Sequence, residues 1–96
     1  MNGIHEFLEE YHLHLDPSSR YIDFMSEAGQ LGTAILNTTD YGTKPLELNE
    51  DLKKEAGDTL FALLAFLSEC GLDAEELSRE TLMHYRKRME EYTESH

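Results

Sequence analysis

The sequence predicts an all-α fold, a four-helix bundle, from three observations. Apolar residues recur at helical spacing in four separate stretches. Strong helix breakers divide the stretches: Asp16-Pro17, the polar run 37–49 and Gly71. No stretch shows the sustained alternation of a half-buried strand.

In the first stretch Ile4, Phe7, Leu8, Tyr11 and Leu15 recur at helical spacing, with Glu6, Glu9 and Glu10 between them. This pattern predicts a helix from about Asn2 to His14. Asp16 is a good N-cap and Pro17 a good first helical residue, so a second helix starts there and runs to about Asn37. Its core stripe is Tyr21, Met25, Ala28, Leu31 and Ile35. The run NTTDYGTKPLELN has the polar, Gly and Pro content of a loop, spanning about 38–49. It is the one long connection, and loops of about a dozen residues in compact domains are often functional.

Asn49 caps the third helix, with Glu50 and Asp51 in its first turn, and Gly71 ends it. From Leu60 to Leu67 this helix is apolar on every side, so it needs cover on every side. Asp73 to Glu76 reads as an N-cap with an acid at the third helical position. The fourth helix then runs to about Tyr92, on a stripe of Leu82, Tyr85, Met89 and Tyr92.

With 96 residues, the chain fits one helical domain spanning 1–96. Its 20 acids against 8 Lys and Arg leave a formal net charge of −12. Such a charge repels nucleic acid polymers and anionic membranes and attracts cations. No apolar run reaches the roughly 20 residues a membrane span needs. Glu6, Glu9 and Glu10 stand where a signal peptide places a basic and then an apolar stretch. The single cysteine, Cys70, allows no intrachain disulfide. A cytoplasmic location is therefore expected. Three short amphipathic helices hardly cover the all-round apolar third helix, so a homodimer or tetramer is expected too.

Two rows of acids carry the chemistry. On the second helix Asp23, Glu27 and Gln30 share one side, and on the third Asp51, Glu55 and Asp58 repeat the spacing. Facing one another, the rows would converge hard oxygen donors suited to Mg²⁺ or Mn²⁺. A divalent ion there would hold a phosphate chain and activate a water. Spacing alone says little, because such rows also line solvated helix faces.

Other chemistry-bearing residues have plain readings. His12 and His14 lie two apart, which on a helix does not place them face to face for a shared zinc. Cys70 sits in an apolar run and reads as a buried structural thiol. Phe61 and Phe66 read as core or subunit interface before base pocket. Arg86, Lys87 and Arg88 complement the end of the fourth helix, with Arg88 also a candidate phosphate ligand and Lys44 in the long loop another.

SEAGQL (Ser26–Leu31) followed by KKEAGDTLFALLAFLSECGLDAEEL (Lys53–Leu77) resembles the MazG family of all-α NTP pyrophosphohydrolases. The likeness covers roughly residues 17 to 90, and the order of its parts is its most specific feature. The family's E-x-x-D is intact as Glu55-Ala56-Gly57-Asp58. The family's first half is two adjacent acids and a third acid three residues on. Here Glu27 matches, while Ser26 and Gln30 replace acids. A family Lys in the fourth helix meets Thr81, an Asn late in the third helix is Ser68, and Arg88 falls where the family often has Arg.

The resemblance implies an oligomeric bundle of the MazG-like type. It implies Mg²⁺ on Glu27, Glu55 and Asp58, with Gln30 offering a carbonyl oxygen. It also implies a small-molecule nucleotide as substrate, with Arg88 at a family position to bind it; Lys44 is a weaker phosphate candidate from its place in the loop alone. The expected reaction is hydrolysis of a nucleoside triphosphate, releasing pyrophosphate and a (d)NMP. The rival expectation is a catalytically degenerate relative that binds nucleotide weakly or serves as an interaction module.

Overall fold

The computed structural model of the chain describes residues 3–95. It contains α1 (Ile4–Glu10), α2 (Pro17–Thr38), α3 (Glu50–Glu69) and α4 (Ala74–Ser95), with no strand among the described residues. Among the described residues no helix is long and apolar enough to cross a membrane. The expected all-α order of four helices is observed; the expected start of the first helix at Asn2 lies outside the described residues.

The predicted caps form. The Asp16 carboxylate accepts the Ser19 N–H at 3.0 Å and the Ser19 hydroxyl at 2.7 Å, and Pro17 opens α2. These bonds satisfy an otherwise orphaned donor and hold the Asp16 carboxyl below its usual range. Asn49 Oδ1 accepts the Leu52 N–H at 2.8 Å and opens α3 in the same way. At the other end of α3, Gly71 takes φ 73°, and the Leu72 N–H returns to the Leu67 carbonyl at 2.9 Å. That left-handed step is nearly free for glycine and strained for a residue with Cβ.

α1 is shorter than the periodicity predicts and stops at Glu10. His12 adopts φ 55°, and the Leu13 N–H closes back on the Leu8 carbonyl at 2.9 Å. The chain then turns across the end of α3, where the nearly buried Arg20 guanidinium donates to the Leu13 carbonyl. Hydrogen bonds of the turn, not apolar spacing, decide this boundary.

α2 and α3 form an antiparallel hairpin. Tyr21 meets Phe66 edge-on at 5.6 Å, the Thr59 hydroxyl reaches the Glu27 carbonyl, and Leu31, Ile35 and Leu52 line one cleft. α1 lies on α3 through Phe7 and Phe61, 5.8 Å apart and edge to face. The fully covered core is slim: Leu8, Ala34, Leu52, Ala62 and Ala65. The alanines let the helices approach closely but bury little area each.

Four expectations about burial are corrected within a single chain. Of the expected α2 core stripe, Tyr21, Met25 and Ile35 are exposed and Ala28 and Leu31 only half-buried, because α2 has one packed neighbour, α3. From Ser78 to Glu94 every residue of α4 is exposed, so the stripe Leu82, Tyr85, Met89 and Tyr92 faces outward instead of entering a core. Leu60 and Leu63 are exposed as well, so the apolar middle of α3 is covered on some sides only, and Cys70, expected to be buried, is exposed at the helix end. The cause is geometric: α4 departs from α3 after its first turn. The radius of gyration is 17.2 Å. A compact chain of this length would have one of about 12.5 Å.

Candidate metal centre

Halfway along the hairpin, α2 supplies Glu27 and α3 supplies Glu55 and Asp58. One carboxylate oxygen from each lies within 4.8 Å of the others. Helical spacing puts Glu55 and Asp58 on one side of α3. The α2–α3 pairing supplies Glu27 opposite them. Thr59 sets the level of that pairing, its Oγ1 lying 3.1 Å from the Glu27 carbonyl and 2.8 Å from the Glu55 carbonyl. All three acids are half-buried.

The electrostatics of the group are unfavourable as they stand. Burial, then the charges of Asp58, Asp23 and Glu55, pushes the Glu27 carboxyl above its usual range. Glu27 Oε2 and Glu55 Oε2 are buried and have no hydrogen-bond partner. A buried carboxylate oxygen without a donor is costly, and a bound cation is one remedy. The donor set of three carboxylates is hard and anionic, so its chemistry fits Mg²⁺ or Mn²⁺.

A residue with no role in the sequence reading takes part here. Lys54 Nζ bonds Asp58 Oδ2 at 3.1 Å and lies 3.8 Å from Glu55 Oε1. The hydrogen bond to Asp58, then the charges of Asp58 and Glu55, holds the Lys54 ammonium above its usual range. Its i,i+4 spacing to Asp58 was visible in the sequence as an ordinary surface pair.

The other candidates stand apart from the acids. Gln30 is exposed, one turn beyond Glu27 on α2, and Ser26 is exposed beside it. Asp23 is half-buried and acts on Glu27 through its charge. Lys44 sits in a loop folded onto the end of α2, where its N–H bonds the Thr39 carbonyl at 2.9 Å. Asp40, Tyr41 and Gly42, at φ 48°, 58° and 84°, make that fold. The end of α2, Thr38, lies roughly 16 Å along the helix axis from Glu27 at 1.5 Å per residue. Arg88 is on the projecting part of α4, its guanidinium 5.2 Å from the centre of the Tyr85 ring.

A cleft of about 600 Å³ opens one turn from the acids, lined by Leu31, Ile35, Leu46, Leu48, Leu52 and Ala56 among others. Leu46 and Leu48 come from the long loop and were not singled out by periodicity, because they belong to no helix. Phe61 and Phe66, by contrast, are spent on packing against Phe7 and Tyr21. No family model, no curated protein and no solved structure matches this chain.

Proposed function

We propose that the protein is a divalent-metal-dependent nucleoside triphosphate pyrophosphohydrolase of the MazG-like type. One observation carries this reading. Glu27, Glu55 and Asp58 converge across the hairpin, with two buried carboxylate oxygens left without a partner. These are the three acids that match the family signature, and they meet in space although 27 residues separate the two helices' contributions.

In this reading Glu27, Glu55 and Asp58 hold Mg²⁺ or Mn²⁺. The ion, when bound, supplies charge neutralisation for the triphosphate and a water of lowered pKa. The leucine-lined cleft one turn away takes the nucleoside. The attacking water's oxygen would bond the α-phosphorus, its proton passing to a nearby carboxylate or to solvent, as the bond from that phosphorus to the bridging oxygen breaks. Pyrophosphate leaves with the bond's electrons, and a nucleoside monophosphate remains. Arg88 serves such a site from a neighbouring chain, since its own α4 projects away from its own hairpin.

One observation favours the rival reading, a degenerate relative. Lys54 already pairs with Asp58 and Glu55, as a resident cation would. The two readings part in one assay. The protein is incubated with the common (d)NTPs and Mg²⁺ or Mn²⁺, and pyrophosphate release is measured. Turnover that disappears with Glu55→Gln supports the enzyme. No turnover with any nucleotide, together with no Mg²⁺ binding by calorimetry, leaves the degenerate reading.

A further inference from the structure

A second cluster of ligating side chains lies at the open end of the hairpin, where α3 ends and α2 begins. Glu69 is fourteen residues beyond Glu55 on α3. That is roughly 21 Å along the axis at 1.5 Å per residue. There His5, Glu9 and His14 each offer one ligand atom, all within 4.8 Å of one another. His5 and Glu9 are one turn apart on α1, while His14 comes from the α1–α2 linker.

We propose that His5, Glu9 and His14 form a binding site for Zn²⁺ or a similar borderline transition-metal ion.

The arrangement of the two rings carries the inference. Both imidazoles turn Nε2 toward the same carboxylate oxygen: His14 Nε2 is 2.9 Å and His5 Nε2 is 3.7 Å from Glu9 Oε1. Adjacent ligands in a tetrahedral zinc site with bonds of about 2.0–2.1 Å lie about 3.3 Å apart. The two distances bracket that edge, so rotamer-scale motion suffices to close on an ion.

The far side of each ring is engaged by the end of α3. His14 Nδ1 lies 2.8 Å from Glu69 Oε1, and His5 Nδ1 lies 3.4 Å from Ser68 Oγ. Both His14 nitrogens face carboxylates, so Nε2 donates a proton to Glu9 in the metal-free chain. An ion would displace that proton, and the Glu69 carboxylate on Nδ1 would then hold the tautomer that presents Nε2 to the metal, as in carboxylate–histidine–metal arrangements. Glu69 is itself built into the fold. Its side chain is 8% exposed and also accepts the Leu15 N–H. Burial raises its carboxyl, but the His14 and Leu15 hydrogen bonds and the charges of His14 and Arg20 outweigh that and leave it below its usual range.

Two imidazoles and one carboxylate suit zinc better than Mg²⁺ or Ca²⁺, which prefer all-oxygen ligands. Three protein ligands on an exposed rim leave a coordination position open to water. The site would tie α1 and the α1–α2 linker to each other against α3. The proposal is independent of the acids at Glu27, Glu55 and Asp58.

The test is titration of the untagged full chain with Zn²⁺ by calorimetry, and with Co²⁺ by visible absorption. The expected result is one ion per chain whose binding requires His5 and Glu9, counted apart from any ion held by Glu27, Glu55 and Asp58, and the intense Co²⁺ bands of a four- or five-coordinate site. His5→Ala and Glu9→Gln each weaken Zn²⁺ binding about tenfold or more. Glu69→Gln weakens it by about 10–100-fold, as loss of a ligand-orienting partner does. Glu55→Gln leaves the His5-dependent ion in place, whatever it does to binding at the acids. His5 and Glu9 are exposed, so their variants retain the helical circular dichroism of the parent. Three results would overturn the proposal: no Zn²⁺ binding, equal affinity in His5→Ala, or loss of the His5-dependent ion in Glu55→Gln. The first two would leave a hydrogen-bonded knot only.

Discussion

Lys54 and the three acids set the balance at the residue scale. The ammonium sits where it lowers the repulsion among Glu27, Glu55 and Asp58, yet it is largely exposed and held through one hydrogen bond. It therefore competes with any divalent ion for Asp58. Lys54→Met is expected to tighten Mg²⁺ binding, read by calorimetry at fixed ionic strength; weaker binding would mean that Lys54 helps to assemble the site. Asp16 is a second residue whose charge has a stated direction. Its folded pKa lies below the unfolded value, because the Ser19 hydroxyl and N–H donate to the carboxylate. The stability it contributes is thus present above the unfolded pKa and is lost as pH falls through the folded value. Asp16→Asn, which keeps a capping oxygen, should flatten the acid limb of a plot of Tm against pH below about 4. An unchanged limb would show that other groups govern acid unfolding.

Among the elements, α1 depends most on a single side chain. It is seven residues long, too short to be stable alone, and Leu8 is its one fully buried residue. Leu8→Ala removes that anchor at the foot of α1, beside the turn where Leu13 bonds back to the Leu8 carbonyl. The expected cost is about 2–5 kcal/mol, from urea denaturation. Native-state hydrogen exchange should show faster exchange in α1 than in the α2–α3 hairpin, which has the larger packed face. A loss below about 1 kcal/mol would mean that the polar contacts of His14, Arg20 and Glu69 hold the segment on their own.

For the whole molecule, the uncovered apolar surface decides what is expected in solution. Leu60, Leu82, Met83, Tyr85, Met89 and Tyr92 are all more than half exposed, and all of α4 beyond Leu77 projects without cover. An extended shape with this much exposed apolar surface favours burial between copies. We therefore propose self-association through α4 and the open side of α3. Light scattering at micromolar concentration is expected to give the mass of a dimer or tetramer. Tyr85→Glu combined with Met89→Glu should shift it toward the monomer while leaving helix content intact, since both side chains are exposed in the single chain. A monomeric mass for the parent chain would remove this proposal, and with it the route by which Arg88 reaches an acid site.

The local features were legible in the sequence. Asp16-Pro17, Asn49 and Gly71 place helix ends correctly because caps act within about four residues. Glu55 and Asp58 are neighbours by helical spacing alone. What spacing could not supply was every pairing made across long stretches of chain. Thr59 fixing the level of Glu27 is one such pairing. Others are Leu46 and Leu48 joining Leu31 and Ile35 around a cleft, and His5 meeting His14 in place of the His12–His14 pair. The departure of α4 from α3 was hidden as well, because an apolar stripe says that a face needs cover and not which surface provides it. The sequence by itself determined four helices and two acid rows; only the tertiary structure decided which rows meet. Helix periodicity is short-range, and the relative placement of helices is set by contacts that no local pattern encodes.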